Sequence, residues 1–203
     1  MILVVCAVAE ELDGFARPDV DVVCVGIGPV EAALGTLRAL AAKPYALAIN
    51  AGIAGGFAGR APIGSAVAVT VERYLEIGRE DGGAIVLPPG VRVEATCAAD
   101  AGLLERYRSR LPKAVFGTGI TSATITTSAA RSAELATRYA PETESMEGFS
   151  VLRAAAVAGV AAVELRGISN IVGDPIGGWD FRAGSTAAVR ALTDFLTAVE
   201  ETT

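Results

Sequence analysis

The sequence predicts an α/β fold of three layers (αβα), in which a central mixed, mostly parallel sheet is the middle layer. Short apolar runs alternate with segments of helical periodicity, which is typical of a sheet covered on both faces. The 203 residues are 52% hydrophobic, enough for a sizeable core in one domain. No internal repeat or clear linker interrupts the pattern, so residues 1–203 are interpreted as a single domain.

The first half of the chain is predicted to supply four strands and one helix. The strands are 2–8, 20–25, 45–51 and 63–71. Gly28-Pro29 opens the helix, since proline suits a first turn, and Lys43-Pro44 ends it. Apolar residues spaced by four, three and four predict its inner face: Val30, Leu34, Leu37 and Ala41.

The second half begins with a predicted loop over 78–90, which contains Asp81, Gly82 and Gly83 followed by Pro88 and Pro89. Strands follow at 114–120 and 161–168, and helices at 128–139 and 148–158. An earlier helix is lined by Leu103, Leu104, Tyr107 and Leu111. The buried stripe of the last helix is Ala188, Leu192, Phe195 and Val199.

The complete lack of histidine removes much of enzyme chemistry from this subunit. A Ser-His-Asp triad, a Cys-His pair and a His-ligated metal are excluded, so acid-base work falls to carboxylates, Tyr, Lys, Cys or water. Neither a metal nor another cofactor is expected. The net charge of −6 supplies no basic excess for nucleic acid.

Cysteine usage and the apolar runs bear on the compartment. Cys6, Cys24 and Cys97 show neither disulfide nor metal spacing, which favours a reducing cytoplasm. The apolar start meets Glu10 and Glu11 at once, unlike a signal peptide. The run 46–59 is too short and too glycine-rich to span a bilayer, so no membrane partner is expected.

Ligands of such sheets bind beyond the carboxyl ends of the strands, which selects the loops after residues 8, 25, 50, 120 and 168. Glu10-Glu11 lie there; a surface pair is the commoner outcome, but a carboxylate at this position could act as a base. In Gly26-Ile27-Gly28, Glu31 takes the sixth position of a dinucleotide fingerprint, so a tight turn is favoured. No Walker loop exists, and Lys43 and Lys113 lie beside prolines, where they do not suggest a Schiff base.

Three further segments remain open between packing and binding. Residues 51–56 are small enough for a ligand to approach the backbone, or for a packed turn. In 144–148, Met146 and Glu147 suit a helix start, but could equally form an apolar wall and a hydroxyl acceptor. Asn170, just past a strand, is either structural or placed to bind a ligand.

Together these segments resemble the purine nucleosidase and phosphorylase family that includes methylthioadenosine/adenosylhomocysteine nucleosidase. The resemblance covers nearly the whole chain in the family's order, and its elements are 7–11, 26–28, 50–56, 144–147 and 166–170. Ser-Met-Glu-Gly, Arg-Gly-Ile-Ser-Asn and the segment 117–121 look most like the futalosine hydrolase branch, which acts in an alternative menaquinone pathway. That branch implies a nucleoside phosphorylase-like fold and cleavage of futalosine into hypoxanthine and dehypoxanthine futalosine.

The resemblance also implies roles for individual residues. Glu11, rather than Glu10, matches the base that activates water, and Glu147 the carboxylate that binds the ribose 2′ and 3′ hydroxyls. Met146 lies against the sugar, and Asn170 contacts the leaving base. The remaining predicted substrate contacts are Ile53, Ala54, Gly55, Ile125 and Thr126. Relatives commonly form homodimers whose partner completes the pocket, so a homo-oligomer is expected.

Asn170 falls where adenine-specific relatives place an Asp. Hypoxanthine presents an oxygen beside the acceptor nitrogen of its five-membered ring, and a carboxylate would repel that oxygen. A neutral amide can donate a hydrogen bond to it. Asn170 therefore favours a six-oxopurine over methylthioadenosine.

Several alternatives stay open on the sequence alone. Arg17 and Arg60 could bind phosphate in a phosphorylase, although Glu11 would repel an attacking phosphate dianion. Another purine nucleosidase, a purine-binding protein without turnover and a dinucleotide-binding module are the other candidates. The benzoate of futalosine needs a cation or N–H donor, for which Arg73, Arg182 and a residue of a partner subunit are candidates. Trp179 either covers the aryl ring or packs structurally.

Overall fold

The computed structural model describes residues 1–75, 77–79, 85–110 and 114–200. The described strands are β1 Ile2–Cys6, β2 Val20–Cys24, β3 Leu47–Gly56, β4 Ala66–Tyr74, β5 Thr96–Ala98, β6 Val115–Thr121, β7 Thr143–Ser145 and β8 Ala161–Ile171. The described α-helices are α1 Pro29–Ala42, α2 Ala101–Arg110, α3 Ala129–Tyr139, α4 Gly148–Ala158 and α5 Phe181–Glu200. Short 3-10 helices cover Ala9–Leu12 and Ile176–Gly178.

The strands form one mixed sheet that closes partly on itself. Its order is β2-β1-β3-β7-β6-β4-β5, and β8 pairs with both β3 and β4. Five strand pairs are parallel and three antiparallel, which confirms the predicted mixed, mostly parallel sheet. Because β8 pairs with β4, β4 with β6, β6 with β7 and β7 with β3, five strands form a closed ring.

Helices cover the sheet on both faces, as predicted. The side chain of Val151 on α4 packs with Ala32 on α1 and with Leu3 and Val5 on β1. The opposite face carries α5, whose predicted stripe residues Ala188, Leu192 and Phe195 are fully buried. Gly167 on β8 lets the two elements touch, since a Cβ there would collide with the backbone of Gly184 on α5. Within the described residues, no helix is long and apolar enough to cross a membrane.

Two predicted strand ends are wrong. Residues 51–56, interpreted as lying beyond a strand, are part of β3, and Asn170 lies within β8. The reason is that β3 and β8 stay paired up to Gly56 and Ile171. The register shifts between Ala54 and Gly55, so that Ser169 is an extra residue on β8, a β-bulge.

The predicted inner face of α1 is also wrong. Val30 and Leu34 are 67% and 54% exposed, and Leu37 and Ala41 are exposed as well. The buried residues of α1 are instead Ala32 and Thr36. Small residues are favoured because the helix passes very close to Val25, just after β2, where a Cβ on Gly35 would come 2.7 Å from the Val25 side chain. The larger apolar side chains are therefore turned outward.

Other boundaries differ by a few residues. The strand predicted at 63–71 is β4, Ala66–Tyr74, and it pairs with the short strand β5, which the pattern did not predict. Leu104 and Tyr107 of α2 are buried as expected, whereas Leu111 and Lys113 lie outside the described residues. Asp81, Gly82 and Gly83 of the predicted loop also lie outside them.

Candidate active site

A cavity of about 220 Å³ opens where the carboxyl ends of β1, β3 and β8 meet. Eight of the nine predicted site residues line this cavity: Glu11, Ile53, Ala54, Gly55, Ile125, Met146, Glu147 and Asn170. The ninth, Thr126, does not line it. Residues that are far apart in sequence thus converge because parallel strands deliver their following segments to the same edge of the sheet.

Glu11 is held by three backbone N–H groups at one end of this cavity. Its Oε2 accepts hydrogen bonds from the N–H groups of Ala7 at 2.7 Å and Val8 at 3.2 Å, and its Oε1 accepts one from Ile53 at 3.0 Å. The side chain is only 4% exposed, whereas neighbouring Glu10 is exposed. A Cβ on Gly52 would lie 2.6 Å from Glu11 Oε1, so the glycine at position 52 makes room for this carboxylate.

Glu147 lies beside Glu11 and is bound from the turn after β2. Its Oε1 accepts a hydrogen bond from Gly28 N–H at 3.0 Å. Gly26 and Gly28 have φ of 93° and 96°, which explains the two glycines as a tight turn. Burial raises the pKa of Glu147, while Arg166 and the Gly28 N–H act in the opposite direction. The glycine turn thus serves the site directly, which the sequence alone did not indicate.

Arg166 is fully buried directly behind these two carboxylates. Its Nε donates to Glu164 Oε1 at 2.7 Å and its Nη1 to the carbonyl of Ile53 at 3.3 Å. Its Nη2 lies 3.8 Å from Glu147 Oε2 and has no hydrogen-bond partner among the described residues. Burial opposes its charge, but attraction to Glu164, Glu147 and Glu11 raises the pKa of Arg166 above the usual arginine value.

Two further buried acids support Arg166 from β4 and β8. Burial raises the pKa of Glu72 well above the ordinary glutamate value, and repulsion from Glu164 adds to this. Burial also raises the pKa of Glu164, against the attraction of Arg166. Thr121 Oγ1 donates to Glu72 Oε2 at 2.7 Å. A Cβ on Gly148 would lie 2.6 Å from Glu164 Oε1 and 2.7 Å from Glu72 Oε1, so both carboxyl groups face the same small gap.

The other end of the cavity is formed by Asn170 and its neighbours. Asn170 Oδ1 accepts a hydrogen bond from Ser169 Oγ at 2.9 Å, and Nδ2 donates to the carbonyl of Ile171 at 3.4 Å. The bulge at Ser169 lets both residues line the cavity. With Oδ1 held by Ser169, the amide has an N–H left to present to a ligand.

Thr126 lies behind the cavity wall rather than in it. Its N–H and Oγ1 donate to the carboxyl group of Glu144, at 3.1 and 2.5 Å. Glu144 is buried and lines the cavity itself. Thr126 therefore fixes the position of Glu144, and through it the segment that carries Ile125.

Among the described residues that line the cavity, none is a lysine or an arginine. Arg17 pairs with Asp19 and Glu200, and Arg60 with Glu142, so neither candidate phosphate ligand reaches the cavity. Arg73 lies over the ring of Tyr139, and Arg182 lies outside the cavity lining. Trp179 does line the cavity, and its buried indole N–H has no hydrogen-bond partner among the described residues.

Sequence reasoning assigned no role to Arg166, Glu144, Glu164 or Glu72. One signal was available: Glu72 and Glu164 are lone acids near or within apolar strand segments, and Arg166 follows Glu164 by two residues, which places both on one face of a strand. Charges in such positions are rarely buried unless they are paired. Which acid pairs with which cation was not readable from the sequence.

Comparison with known proteins identifies relatives of this chain. Residues 3–201 match the phosphorylase superfamily. The futalosine hydrolase of Streptomyces coelicolor is 37% identical over 180 residues, which cover 86% of this chain and 75% of the relative. The structure of futalosine hydrolase from Helicobacter pylori superposes with a TM-score of 0.82 at 16% identity, covering 97% of each chain. The structure of a methylthioadenosine/adenosylhomocysteine nucleosidase from Colwellia psychrerythraea was solved with adenine. It superposes with a TM-score of 0.81 at 20% identity, covering 97% of this chain and 94% of that one.

The buried acid Glu72 predicts a pH-dependent stability. Its pKa is raised by burial in the folded protein, so the folded state keeps a proton that the unfolded chain releases near pH 4.3, about the free glutamate value. The stabilising contribution is complete below that pH and is lost as the pH rises through the folded-state pKa. Glu72→Gln mimics the protonated form, so its free energy of unfolding relative to wild type should rise with pH above about 5, by up to ~1.4 kcal/mol per unit.

Urea denaturation between pH 5 and 9 measures this difference. Glu105→Gln on the exposed face of α2 is the control, and its curve should run parallel to that of wild type. A Glu72→Gln curve that also ran parallel to wild type would contradict the assignment of a buried proton to Glu72.

Proposed function

Since the chain belongs to the phosphorylase superfamily and to its futalosine hydrolases, we propose that it hydrolyses the N-glycosidic bond of futalosine. The products are hypoxanthine and dehypoxanthine futalosine. The observation that carries this proposal is one cavity that holds two buried acids, Glu11 and Glu147, at one end and a neutral amide, Asn170, at the other.

Glu11 is the proposed general base. A carboxylate offers about four acceptor positions, and three backbone N–H groups occupy three of them. The fourth can accept a hydrogen bond from a water molecule in the cavity. Proton transfer from that water to Glu11 generates the nucleophile for the anomeric carbon, an effect typically worth about 10²–10⁴-fold in rate.

Glu147 is the proposed ligand of the ribose 2′ and 3′ hydroxyls. Breaking the glycosidic bond makes the sugar cationic, and a nearby carboxylate stabilises that charge. Arg166 offsets the repulsion between the two acids, because its guanidinium lies behind both of them and attracts both. Met146 supplies an apolar surface for the sugar, with Ile53, Ala54 and Gly55 as the backbone wall.

Asn170 is proposed to bind the leaving base. The purine departs with negative charge, and the amide N–H donates to its O6 and N7 edge. An amide cannot supply a proton at neutral pH, so Asn170 only hydrogen-bonds the departing base. The base takes its proton from solvent water, and the hydroxide left behind is neutralised by the proton that Glu11 took from the nucleophilic water. A donor at this position favours hypoxanthine over adenine, since adenine presents an amino group instead of the oxygen.

Water, rather than phosphate, is the proposed nucleophile. Where the structure describes the cavity lining, it contains Glu11, Glu144 and Glu147 but neither lysine nor arginine. A phosphate dianion would meet repulsion from these acids without a cation in the lining to offset it. The acidic lining therefore supports hydrolysis over phosphorolysis.

We also propose that the chain forms a homo-oligomer through an apolar surface on α1, here called the α1 face, consisting of Ile27, Val30, Leu34 and Leu37. These side chains are exposed and contiguous along the helix and its preceding turn, and Ile27 also lines the cavity mouth. Exposed apolar patches of this kind mark interaction sites.

We also place the reaction in the cytoplasm and in menaquinone biosynthesis. The free cysteines suit a reducing compartment.

Glu11→Gln should lower kcat for hypoxanthine release from futalosine by at least about 10²-fold, because an amide cannot accept the proton of water. The exposed neighbour provides the control, and Glu10→Gln should stay within about twofold of wild type. Hypoxanthine binding and the melting temperature of Glu11→Gln are measured alongside, since its new NH₂ group faces backbone N–H donors. Full activity of Glu11→Gln, or strict dependence of turnover on phosphate, would contradict the proposed mechanism.

Asn170→Asp should shift the base preference from hypoxanthine to adenine. The introduced carboxylate repels O6 of hypoxanthine but accepts from the amino group of adenine. We expect the ratio of kcat/KM for futalosine to that for its adenine analogue to fall by about a hundredfold or more. Asn170→Ala removes both interactions, so it should slow both substrates without reversing the preference.

Substitution within the α1 face should dissociate the oligomer. Sedimentation velocity of the wild-type chain should give at least twice the chain mass, and Leu34→Glu should give the single-chain mass because a charge would be buried at the interface. Ile63→Glu, at a 40% exposed apolar residue outside this face, should leave the mass unchanged. A monomeric wild-type chain would rule this interface out.

A further inference from the structure

Glu144 lines the cavity together with Asn170, yet the proposed mechanism gives it no role. The strand register places the two side chains symmetrically about one residue. Gly55 on β3 is paired with Glu144 on β7 on one side and with Asn170 on β8 on the other. Paired residues on neighbouring strands point to the same face of a sheet, so both side chains flank the same glycine.

Gly55 places no side chain between them, so a flat heterocycle could lie against the backbone of β3. Neighbouring strands lie about 4.8 Å apart, so the Cα atoms of Glu144 and Asn170 are separated by roughly 10 Å. Any side chain at position 55 would fill this space, since a Cβ there would lie 2.9 Å from Val172 and 3.2 Å from Asn170 Nδ2. The row Glu144, Gly55, Asn170 thus forms a floor with an acid at one end and an amide at the other.

Glu144 is built to stay in place. It is buried, and both its oxygens accept hydrogen bonds from Thr126, at 2.5 and 3.1 Å. A carboxylate can accept about four hydrogen bonds, so this anchoring is compatible with a further donor from a ligand. What such a position requires of the ligand is an N–H or O–H group.

We propose that Glu144 is a specificity-determining residue that accepts the N1–H of a six-oxopurine, while Asn170 donates to the O6 side of the same base. This inference rests on the proposed function and names the contact that selects its base. Hypoxanthine carries a donor at N1 and an acceptor at O6. Adenine carries the reverse pattern, an acceptor at N1 and donors at the amino group. Its N1 would therefore face the acceptor oxygens of Glu144, and its amino group would face the donor of Asn170.

The amide and the acid contribute differently to this selection. Ser169 Oγ lies within hydrogen-bond distance of both Asn170 Oδ1 and the carbonyl of Ala54, so its hydroxyl can donate to either. A rotated amide, with Nδ2 donating to Ser169, would lose only the long contact with the carbonyl of Ile171, so Asn170 alone could present an acceptor to adenine. A carboxylate has only acceptor oxygens and cannot be turned to offer a donor to the N1 lone pair of adenine.

Equilibrium binding of free bases tests this contact without any glycosidic cleavage. Calorimetric titration of the wild-type chain with hypoxanthine, 1-methylhypoxanthine and adenine requires no variant. We expect hypoxanthine to bind at least about tenfold more tightly than the other two, since a hydrogen bond to a charged group is lost with each of them. Equal binding of the three bases, or no binding of hypoxanthine, would overturn the proposal.

Two variants separate direct recognition from support of the neighbouring segment. Glu144→Gln can donate to N1 of adenine, so the ratio of hypoxanthine to adenine affinity should fall by about 10- to 100-fold. Thr126→Val removes one anchor of Glu144 but keeps the carboxylate, so the ratio should stay within about threefold of wild type. If the ratio of hypoxanthine to adenine affinity is unchanged in Glu144→Gln, or falls equally in Thr126→Val, Glu144 does not contact the base directly.

The two proposals fail in different ways. If the wild-type chain binds hypoxanthine through N1–H but releases none from futalosine, the hydrolase proposal fails and the contact at Glu144 stands. If futalosine is hydrolysed and hypoxanthine is not preferred over 1-methylhypoxanthine, the contact at Glu144 fails and the hydrolase proposal stands. If Glu144→Gln does not fold, Glu144→Asp is the alternative variant. It keeps the carboxylate but moves it away from the base, so it should weaken the binding of hypoxanthine without strengthening the binding of adenine.

Discussion

The guanidinium of Arg166 is the interaction on which this site depends. It is fully buried and attracts Glu164, Glu147 and Glu11, which are themselves buried and would otherwise repel one another. Isolated buried carboxylates would be costly, so the two acids that face the cavity require a buried cation behind them. Its direct ion pair is with Glu164 at 2.7 Å, which leaves Nη2 turned toward Glu147. Through Arg166 on β8, the sheet thereby stabilises Glu11 and Glu147 at its edge.

Glycine makes this arrangement sterically possible. Gly52 gives space to Glu11 and Arg166, Gly148 to Glu72 and Glu164, and Gly55 to the row that ends at Asn170. These glycines lie in or next to the strands of the closed ring rather than in loops. The small residues of 51–56 are thus explained by the side chains and cavity that they adjoin, and not by a turn. A methyl group at any of these three positions would displace a charged or hydrogen-bonding group.

The cavity has two ends that different parts of the fold supply. The end proposed to bind the sugar takes Glu11 from the segment after β1 and Glu147 from the start of α4, and backbone N–H groups hold both. The end proposed to bind the base takes Glu144 from β7 and Asn170 from β8, on either side of Gly55. The α1 face begins at the cavity mouth with Ile27, so a second copy placed there would border the same cavity. The proposed chemistry, base selection and assembly therefore all lie at one edge of the sheet.

The sequence by itself determined most of the elements and the edge of the sheet that carries the cavity, because periodicity and the strand-end rule depend on residues close in the chain. Periodicity predicted the α/β class and the stripe of α5, and the resemblance to the nucleosidase family predicted eight residues of the cavity lining, with Glu11 and Glu147 among them. The tertiary structure decided which face of α1 is buried, since close approach at Gly35 favours small residues over leucines. It also decided the ring closure, the bulge at Ser169 and the partners of Arg166. These features bring together side chains such as Glu72 and Glu164, and no local pattern encodes which distant strands will pair.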